Sequence, residues 1–346
     1  MVYYPKPTDP LNLVFCDVGE ETYALDMTWV RSVQRIDRML TNAEMRPDDA
    51  GFVGWLPSNR GDIPVFTLAH RLGRSSASNG TGAQQRIIVL PSPAPYTNSR
   101  DEEGQPWGLL VDRVSQVVQS TADRFAPLPV IATDPTTNYF EGVIKANDTL
   151  TLFLSPEWLH PNAPLNSDSA KRPGAQPQES AKPRATLSKS VGQTLRTGRL
   201  LTFSFMMPQS LKRPLSFGLS IAQVTEILRM SPLISIPTAP THILGLLNWR
   251  DHVVPVIDLA SRLAGDTRTN GSTGDQTHLV VIRGTEPDTY VAFPVQSNLR
   301  LLRLPVAHQT STRTLSLNQD FIQGIFELKQ ETLAILNIAK ILWLKW

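Results

Sequence analysis

Two stretches of this 346-residue chain are versions of one another, so whatever the chain folds into has to be built twice. Residues 54–72 read G-W-L-P-S-N-R-G-D-I-P-V-F-T-L-A-H-R-L, and residues 245–263 read G-L-L-N-W-R-D-H-V-V-P-V-I-D-L-A-S-R-L, at an offset of 191 with no gap. The glycine, the Pro-Val and the Leu-Ala-x-Arg-Leu coincide. Each copy then enters a small-residue loop, with Asn79-Gly80 and Asn270-Gly271 at the same offset. The likeness extends outward with small gaps. Y-A-L-D-M at 23–27 faces F-G-L-S-I at 217–221, and Val30, Val33 and Arg35 face Val224, Ile227 and Arg229. F-E-G-V-I at 140–144 faces I-Q-G-I-F at 322–326, and L-T-L-F-L at 150–154 faces L-A-I-L-N at 333–337. Self-similarity at a fixed offset marks one structural unit used again, here a module of roughly 150 residues, a usual domain size.

Between the copies lies a segment of another kind. Residues 161–190 hold five prolines and seven charges, with Leu165 and Leu187 as the only large apolar side chains. Such a stretch buries too little to fold alone and reads as a flexible linker. The expected organisation is a first domain at 1–160, a linker at 161–196 and a second domain at 197–346. Charge divides around the linker: residues 1–160 carry net −6 and residues 191–346 net +5, within a whole-chain charge of +2. The two halves are expected either to attract each other or to prefer different partners.

Inside each module the elements read as short strands. Segments 11–17, 23–27, 63–68, 86–90, 107–111 and 150–154 are apolar, alternating or β-branched, and turn residues bound them. The second copy repeats the pattern at 200–205, 216–221, 253–257, 279–282, 290–295 and 332–336. Pro64 and Pro255 fall inside strands, where a residue without an N–H belongs at a start, an edge or a bulge. Helical signal is brief, at 68–72, 259–263, 156–159 and 338–342. The fold class expected is mainly all-β, as small antiparallel barrels with few short helices.

The residues that carry chemistry do not converge. The single cysteine, Cys16, excludes an internal disulfide and a multi-cysteine metal site, and it reads as a buried thiol in an apolar strand. No two of the six histidines stand three or four apart, and His242 and His252 are the nearest to a candidate metal pair. There is no nucleophile elbow, P-loop or dinucleotide fingerprint. The acidic groups Asp48-Asp49 and 101–103 sit in polar, loop-like surroundings. The reading is of a non-enzyme without cofactor. No signal peptide is read at the start, and no stretch reaches the ~18 apolar residues of a membrane span. A cytoplasmic chain with no direct membrane insertion is expected. What remains is surface recognition. Each copy places a glycine, suited to a sharp turn, then a polar turn with arginine, then an apolar strand. An arginine there can engage carboxylates or carbonyls of a partner.

The ordered motifs, taken together, resemble a known family. G-L-L-N-W-R-D-H-V-V-P-V-I-D-L at 245–259 is similar to the G-x-x-N-L-R-G-x-[IV]-x-P-V-x-D-L signature of CheW-like domains, the adaptor modules of bacterial chemotaxis-type signalling. F-G-L-S-I at 217–221, followed by V-T-E-I-L-R at 224–229, resembles the family's Y-A-[LI]-x-[LI] and V-x-E-[IV]-x-R. W-G-L-L-V-D-R-V at 107–114 resembles its G-[LI]-x-V-D-x-V. The likeness covers about 15–160 and 199–343.

It implies two five-stranded, SH3-like barrels per domain around a shared core, and no catalysis. It also implies bridging between the regulatory domain of a CheA-type histidine kinase and the cytoplasmic tip of chemoreceptors, with other CheW-like domains as further partners in an array at the membrane. In the family, receptor contact uses a groove between the barrels, and the Val and Glu of V-x-E and the Arg of N-L-R-G belong to it. The resemblance therefore nominates Val224, Glu226, Asn248 and Arg250, and in the first copy Val30 and Arg60. Ser32 and Asn59 stand at the aligned Glu and Arg positions there, and Pro57-Ser58-Asn59 replaces N-L-R. Kinase docking in the family is largely apolar and uses the first barrel, which nominates Val253, Val254 and Val256, with Ile63 and Val65 in the first copy. The second copy departs at Asp251, in place of the glycine after Arg, and at Gln296, in place of the V-D aspartate. The expectation is a division of labour, with receptor-type chemistry kept in the second copy and kinase docking or lattice packing in the first.

One other reading uses small barrels for nucleic-acid binding. It requires clustered Lys/Arg with exposed aromatics, whereas the arginines are scattered and aromatics make up 7% of the chain. No nucleic-acid partner is expected.

Overall fold

The computed structural model describes residues 10–40, 51–74, 84–93, 104–132, 139–146, 149–161, 163, 199–204, 214–264, 276–284, 288–296, 298–303, 317–328 and 330–342. Nearly all of the sequence-read linker, both Asn-Gly loops and the acidic groups at 48–49 and 101–103 lie outside these residues. Two compact units divide the chain between Gly174 and Ala175, the 236–240 segment apart.

The first unit contains β1 (Pro10–Val18), β2 (Glu21–Asp26), β3 (Ser32–Arg35), β4 (Phe52–Leu56), β5 (Ile63–Thr67), β6 (Arg86–Leu90), β7 (Trp107–Val111), β8 (Arg113–Thr121), β9 (Phe125–Pro127), β10 (Phe140–Ala146) and β11 (Thr149–Leu154). They form two sheets, ordered β8-β1-β2-β11-β10-β9 and β3-β6-β7-β5-β4. The second unit contains β12 (Arg199–Phe203), β13 (Leu215–Ser220), β14 (Val224–Arg229), β15 (Ile243–Trp249), β16 (His252–Ile257), β17 (Gln276–Arg283), β18 (Tyr290–Gln296), β19 (Arg300–Arg303), β20 (Ile322–Glu327) and β21 (Thr332–Leu336). Its sheets are ordered β19-β12-β13-β21-β20 and β14-β17-β18-β16-β15. The mainly all-β expectation holds, and short helices follow β5, β11, β16 and β21, where the sequence signalled them. Two details differ from it. The first sheet gains a sixth strand, the three-residue β9, which pairs with β10 from Ile144↔Phe125 to Gly142↔Pro127. The sheets are also not purely antiparallel, since each holds one parallel pair: β2–β11, β5–β7, β13–β21 and β16–β18.

Parallel neighbours need a crossover. In the second sheet of each unit one strand supplies it: β6 lies between β5 and β7 in the chain but pairs on the far side of β7. Its counterpart β17 does the same for β16 and β18. The two sheets of a unit are circular permutations of one topology. Read across each sheet, β8, β1, β2, β11 and β10 occupy the places of β3, β6, β7, β5 and β4.

The repeated glycine sits in a strand and not in a turn. In β4 and β15 the register shifts just before Gly54 and Gly245, whose φ angles are +154° and +152°. A bulge there lets a second backbone come close. Leu40 exchanges both backbone hydrogen bonds with Trp55 (2.7 and 2.9 Å), and Ile234 does so with Leu246 (2.9 and 2.8 Å). Leu40 and Ile234 follow the strands at one edge of their sheets, and Trp55 and Leu246 lie at the other edge, so these bridges close each sheet into a barrel. A Cβ on Gly54 would meet the Leu40 carbonyl at 2.7 Å, and one on Gly245 the Ile234 carbonyl at 2.6 Å.

The prolines follow from the same geometry. Pro64 and Pro255 pair with the hairpin partner on one side, while the parallel ladder on the other begins one residue later, at Val65 and Val256. Each barrel encloses its own apolar core. In the first unit one core is built on Leu11, Leu13, Ala24, Ile144 and Phe153, and the other on Leu56, Ile63, Val65, Ile87 and Val89. In the second unit one centres on Leu200, Leu333 and Ile335, and the other on Leu247, Trp249, Val254, Val256, Leu279 and Val281.

Candidate functional site

The second copy brings two of its nominated groove residues into direct contact. Along β14 exposure alternates, so Glu226 and Leu228 lean inward while Thr225 and Ile227 face out. The β15–β16 hairpin closes with Trp249 opposite His252 and a two-residue turn of Arg250 and Asp251, at φ +47° and +64°. Both central residues at positive φ define a type I′ turn, whose twist matches that of paired strands. Asp251 tolerates the position the family reserves for glycine, as short polar side chains do.

The turn points Arg250 back at β14. Its Nη2 lies 2.9 Å from Glu226 Oε2, with side-chain exposures of 69% and 31%. The indole Nε1 of Trp249 donates to the same oxygen at 3.0 Å, and the Arg250 guanidinium stands 5.2 Å from the Trp249 ring centroid. Tyr290 packs edge-on against Trp249 at 4.8 Å, and His252 lies 4.7 Å from Tyr290. An exposed ion pair alone is worth little. Here the carboxylate is held by two donors and the cation lies over an aromatic face, so both charges are fixed in position. Val224 and Glu226 stand either side of a β-bulge, and half-buried Asn248 pairs with Val253 in the ladder.

The first copy lacks this arrangement. Its β4–β5 hairpin stops at Leu56↔Ile63, two residue pairs short of its counterpart, because Pro57 cannot donate to the ladder. Arg60 is exposed in the resulting loop, where Ser58 Oγ accepts from its backbone N–H at 3.4 Å. An open cleft of about 630 Å³ follows, lined among others by Arg31, Ser32, Ser58 and Arg60. Val30 is half-buried just before β3, and its N–H donates to Met27 O at 2.9 Å.

The kinase-docking nominees divide by burial. Val65, Val254 and Val256 are wholly enclosed in the barrel cores and offer no surface to a partner, and Ile63 belongs to the same core as Val65 but borders the cleft beside Arg60. This corrects the sequence-level nomination: alternation along a buried strand turns these residues inward. Val253, half-buried, keeps accessible surface. Exposed apolar side chains recur instead in matching places, at Met27 and Ile221, Val33 and Ile227, and Val117 and Leu301. The strand registers put each of these pairs at equivalent positions.

A second cavity in the first unit, of about 530 Å³, opens between its two sheets beside Glu21, Arg74 and Asp112. Glu21 pairs with Arg74, and Tyr23 OH donates to Glu21 at 2.5 Å. Burial, then this bond and the Glu21 charge, push the Tyr23 phenol pKa up. Asp112 stands where the chain passes from β7 into β8, and its Oδ2 accepts from Gly19 N–H at 2.7 Å. Gln296 takes that place in the second copy, where its Oε1 accepts from Ser204 Oγ at 2.7 Å. A neutral amide thus makes the same kind of crossover anchor. The metal reading finds no geometry. His242 is buried, His252 packs at a tilt against Tyr290, and among the described residues no group of three or more His, Cys, Asp or Glu could hold a metal ion.

Sequence reading overlooked Trp249 and Tyr290 and weighed His252 only as a metal ligand. The available signal was a tryptophan beside the turn arginine at the end of an alternating strand, where it must face the same side as Leu247.

Comparison with known proteins finds one family in both halves of the chain. The model of the CheW-like domain family matches residues 12–162 and again residues 205–344. A probable chemotaxis protein CheW from Rhizobium etli is 43% identical over 47 residues, 14% of this chain and 30% of that protein. The scaffolding protein TtCheW from Thermoanaerobacter tengcongensis is similar in crystal structure at 25% identity, covering 44% of this chain and 92% of its own, with a TM-score of 0.36.

Proposed function

The chain belongs to the CheW-like domain family, in two tandem copies, and from that premise we propose that it is a non-enzymatic adaptor linking chemoreceptors to a CheA-type histidine kinase. CheW-like domains are scaffold modules of chemotaxis, and among the described residues no helix is long and apolar enough to cross a membrane. The proposal goes further, to a cytoplasmic protein recruited to receptor arrays, where it touches the receptor tip and the kinase regulatory domain. Other CheW-like domains are neighbours in the array. The domain limits proposed are 1–160 and 197–346, with 161–196 as the tether.

The observation that carries the reading is the Glu226–Trp249–Arg250 constellation in the second copy. A fixed guanidinium beside a fixed carboxylate, next to half-buried Val224 and exposed Ile227, suits a helical receptor tip with polar and apolar faces. Asn248 supports the turn from the neighbouring ladder position. The first copy, with Ser32 and Asn59 at the matching places, keeps the barrels and serves the kinase or lattice side. Val30 and Arg60 remain as its groove residues, and Val253 is the accessible apolar contact of the second copy's hairpin. Tethering makes the second contact intramolecular, which raises avidity ~10²–10⁴-fold where geometry permits. A 30-residue tether spans roughly 30 Å at ~5–6 Å × √n.

Co-sedimentation of the full chain with membranes carrying a chemoreceptor and its kinase tests this reading. Recruitment that depends on both components is expected. A chain that stays in the supernatant with each of them contradicts the adaptor role.

A further inference from the structure

The second copy fills with its own side chains a space that the first copy leaves open. Strand registers align Ser32 with Glu226 and Pro106 with Tyr290. The ungapped repeat aligns Ser58 with Trp249, Asn59 with Arg250 and Gly61 with His252. In the second copy these five residues are in mutual contact: one carboxylate held by an indole N–H and a guanidinium, with three rings packed at 4.7–6.0 Å. In the first copy none of the five positions holds a ring of that kind, a carboxylate or a guanidinium, and the cleft of about 630 Å³ opens there. The first copy carries smaller side chains at all five contacting positions, while the barrel core beneath, Ile63 and Val89, stays packed.

The walls of the cleft retain the complementary chemistry. Ile63 and Val89 supply an apolar floor, Ser32 and Ser58 supply hydroxyls, and among the described residues Arg31, Arg60 and Asp62 bring charged groups to the rim. The second copy shows what such a space accommodates: an aromatic ring with a carboxylate beside it. We propose that the first-copy cleft is a socket for an aromatic side chain with a neighbouring Asp or Glu, presented by a partner polypeptide. The ring would take the place of Trp249 over the apolar floor, and the acid would meet the arginine rim through charge-assisted hydrogen bonds. The partner thus supplies from outside what the second copy carries within itself. The cleft is open to solvent, which suits a side chain entering from a protein surface. This inference rests on the first-copy groove, Arg60 included, that the proposed function retains, and it is tested without any receptor.

The test titrates N-acetyl-Glu-Trp-amide into the deuterated, ¹⁵N-labelled full chain and follows amide resonances. Saturable shifts are expected at Ser58, Gly61 and Gly104. Ser58→Trp, which installs the ring found in the second copy, is expected to weaken binding at least tenfold, with the thermal midpoint unchanged or raised. Ser32→Glu, a smaller change, is expected to weaken the Glu-Trp peptide several-fold more than N-acetyl-Gln-Trp-amide. The proposal is overturned if no saturable shift occurs at these amides, or if both variants bind the peptide as the parent chain does.

Discussion

Alanine at Gly54 or Gly245 should damage one barrel each, by the same amount and for the same reason. Each glycine holds φ near +150°, where a side chain costs about 1–3 kcal/mol of backbone strain. Each also faces a backbone carbonyl that a Cβ would approach to 2.7 or 2.6 Å. That contact cannot be relieved by a side-chain rotation, so the closing bridge must open. Its two hydrogen bonds contribute a net ~0.5–1.5 kcal/mol apiece. Removing a glycine returns roughly 0.5–1 kcal/mol of unfolded-state entropy. The net expectation is about 1–5 kcal/mol, a sizeable share of the ~5–15 kcal/mol that holds an ordinary domain together. Gly73→Ala is the control. Gly73 also has positive φ, +65°, but nothing lies within 4 Å of its missing Cβ, so only the left-handed cost of about 1–2 kcal/mol applies. Two units need not unfold as one transition, so the assay is hydrogen exchange in graded denaturant, resolved by peptide. Gly54→Ala should lower protection across β3–β7 and Gly245→Ala across β14–β18, each leaving the other unit unchanged. A loss below ~1 kcal/mol at either site, or one no larger than that of Gly73→Ala, refutes the barrel-closure argument.

Other consequences concern charge and reactivity. Burial, with the Glu157 and Asp26 charges adding to it against an opposing Ser155 hydrogen bond, raises the Glu141 carboxyl to about 7. A raised carboxyl stabilises below its unfolded pKa near 4.5 and loses that contribution as pH climbs through about 7, so Glu141→Gln should raise the urea midpoint at pH 8 while changing little at pH 4. Burial, with Arg71 nearby, lowers His160 to about 4. Its neutral ring packs on Trp107 and contacts Ser92, so the first unit should lose roughly 1–2 kcal/mol between pH 6.5 and 4, and His160→Gln should flatten that slope in urea titrations. Burial and then the Asp17 charge push the Cys16 thiol up to about 12, so a thiol reagent at pH 8 should leave it unmodified until denaturant is added. Trp249→Phe keeps the ring but deletes the N–H given to Glu226, and it should cost about 1 kcal/mol in stability and weaken receptor-tip binding several-fold.

Most of the buried scaffold was legible in the sequence, because apolar β-branched runs carry their own signal. The strands read at 86–90, 107–111 and 332–336 match β6, β7 and β21 residue for residue. The strands left unread, β3, β4, β8, β9, β10, β14, β15, β19 and β20, are mostly edge strands or strands broken by a bulge. V-T-E-I-L-R in β14 is half exposed and carries two charges. F-V-G-W-L in β4 has a glycine where a strand pattern expects a side chain. Their pairing is decided by partners far along the chain, such as Leu40 with Trp55, and local preference is silent on that. The site was half legible. The family resemblance nominated Glu226 and Arg250, which the fold joins. The valines beside Arg250 were harder to place, since which face of a strand is buried depends on register, and a one-residue shift exchanges the faces. Trp249 went unnoticed because its role exists only once β14 and the β15–β16 turn meet across the barrel.

The most direct test of the account is a calorimetric titration of a chemoreceptor-tip fragment into the full chain and into its Arg250→Glu and Asn59→Glu variants. Charge reversal at Arg250 sets a second carboxylate against Glu226 in the second copy, and Asn59→Glu places a carboxylate at the matching position of the first. The account predicts that Arg250→Glu abolishes binding, while Asn59→Glu leaves it within about twofold of the parent. Receptor binding that survives Arg250→Glu unchanged would contradict the placement of the receptor contact in the second copy.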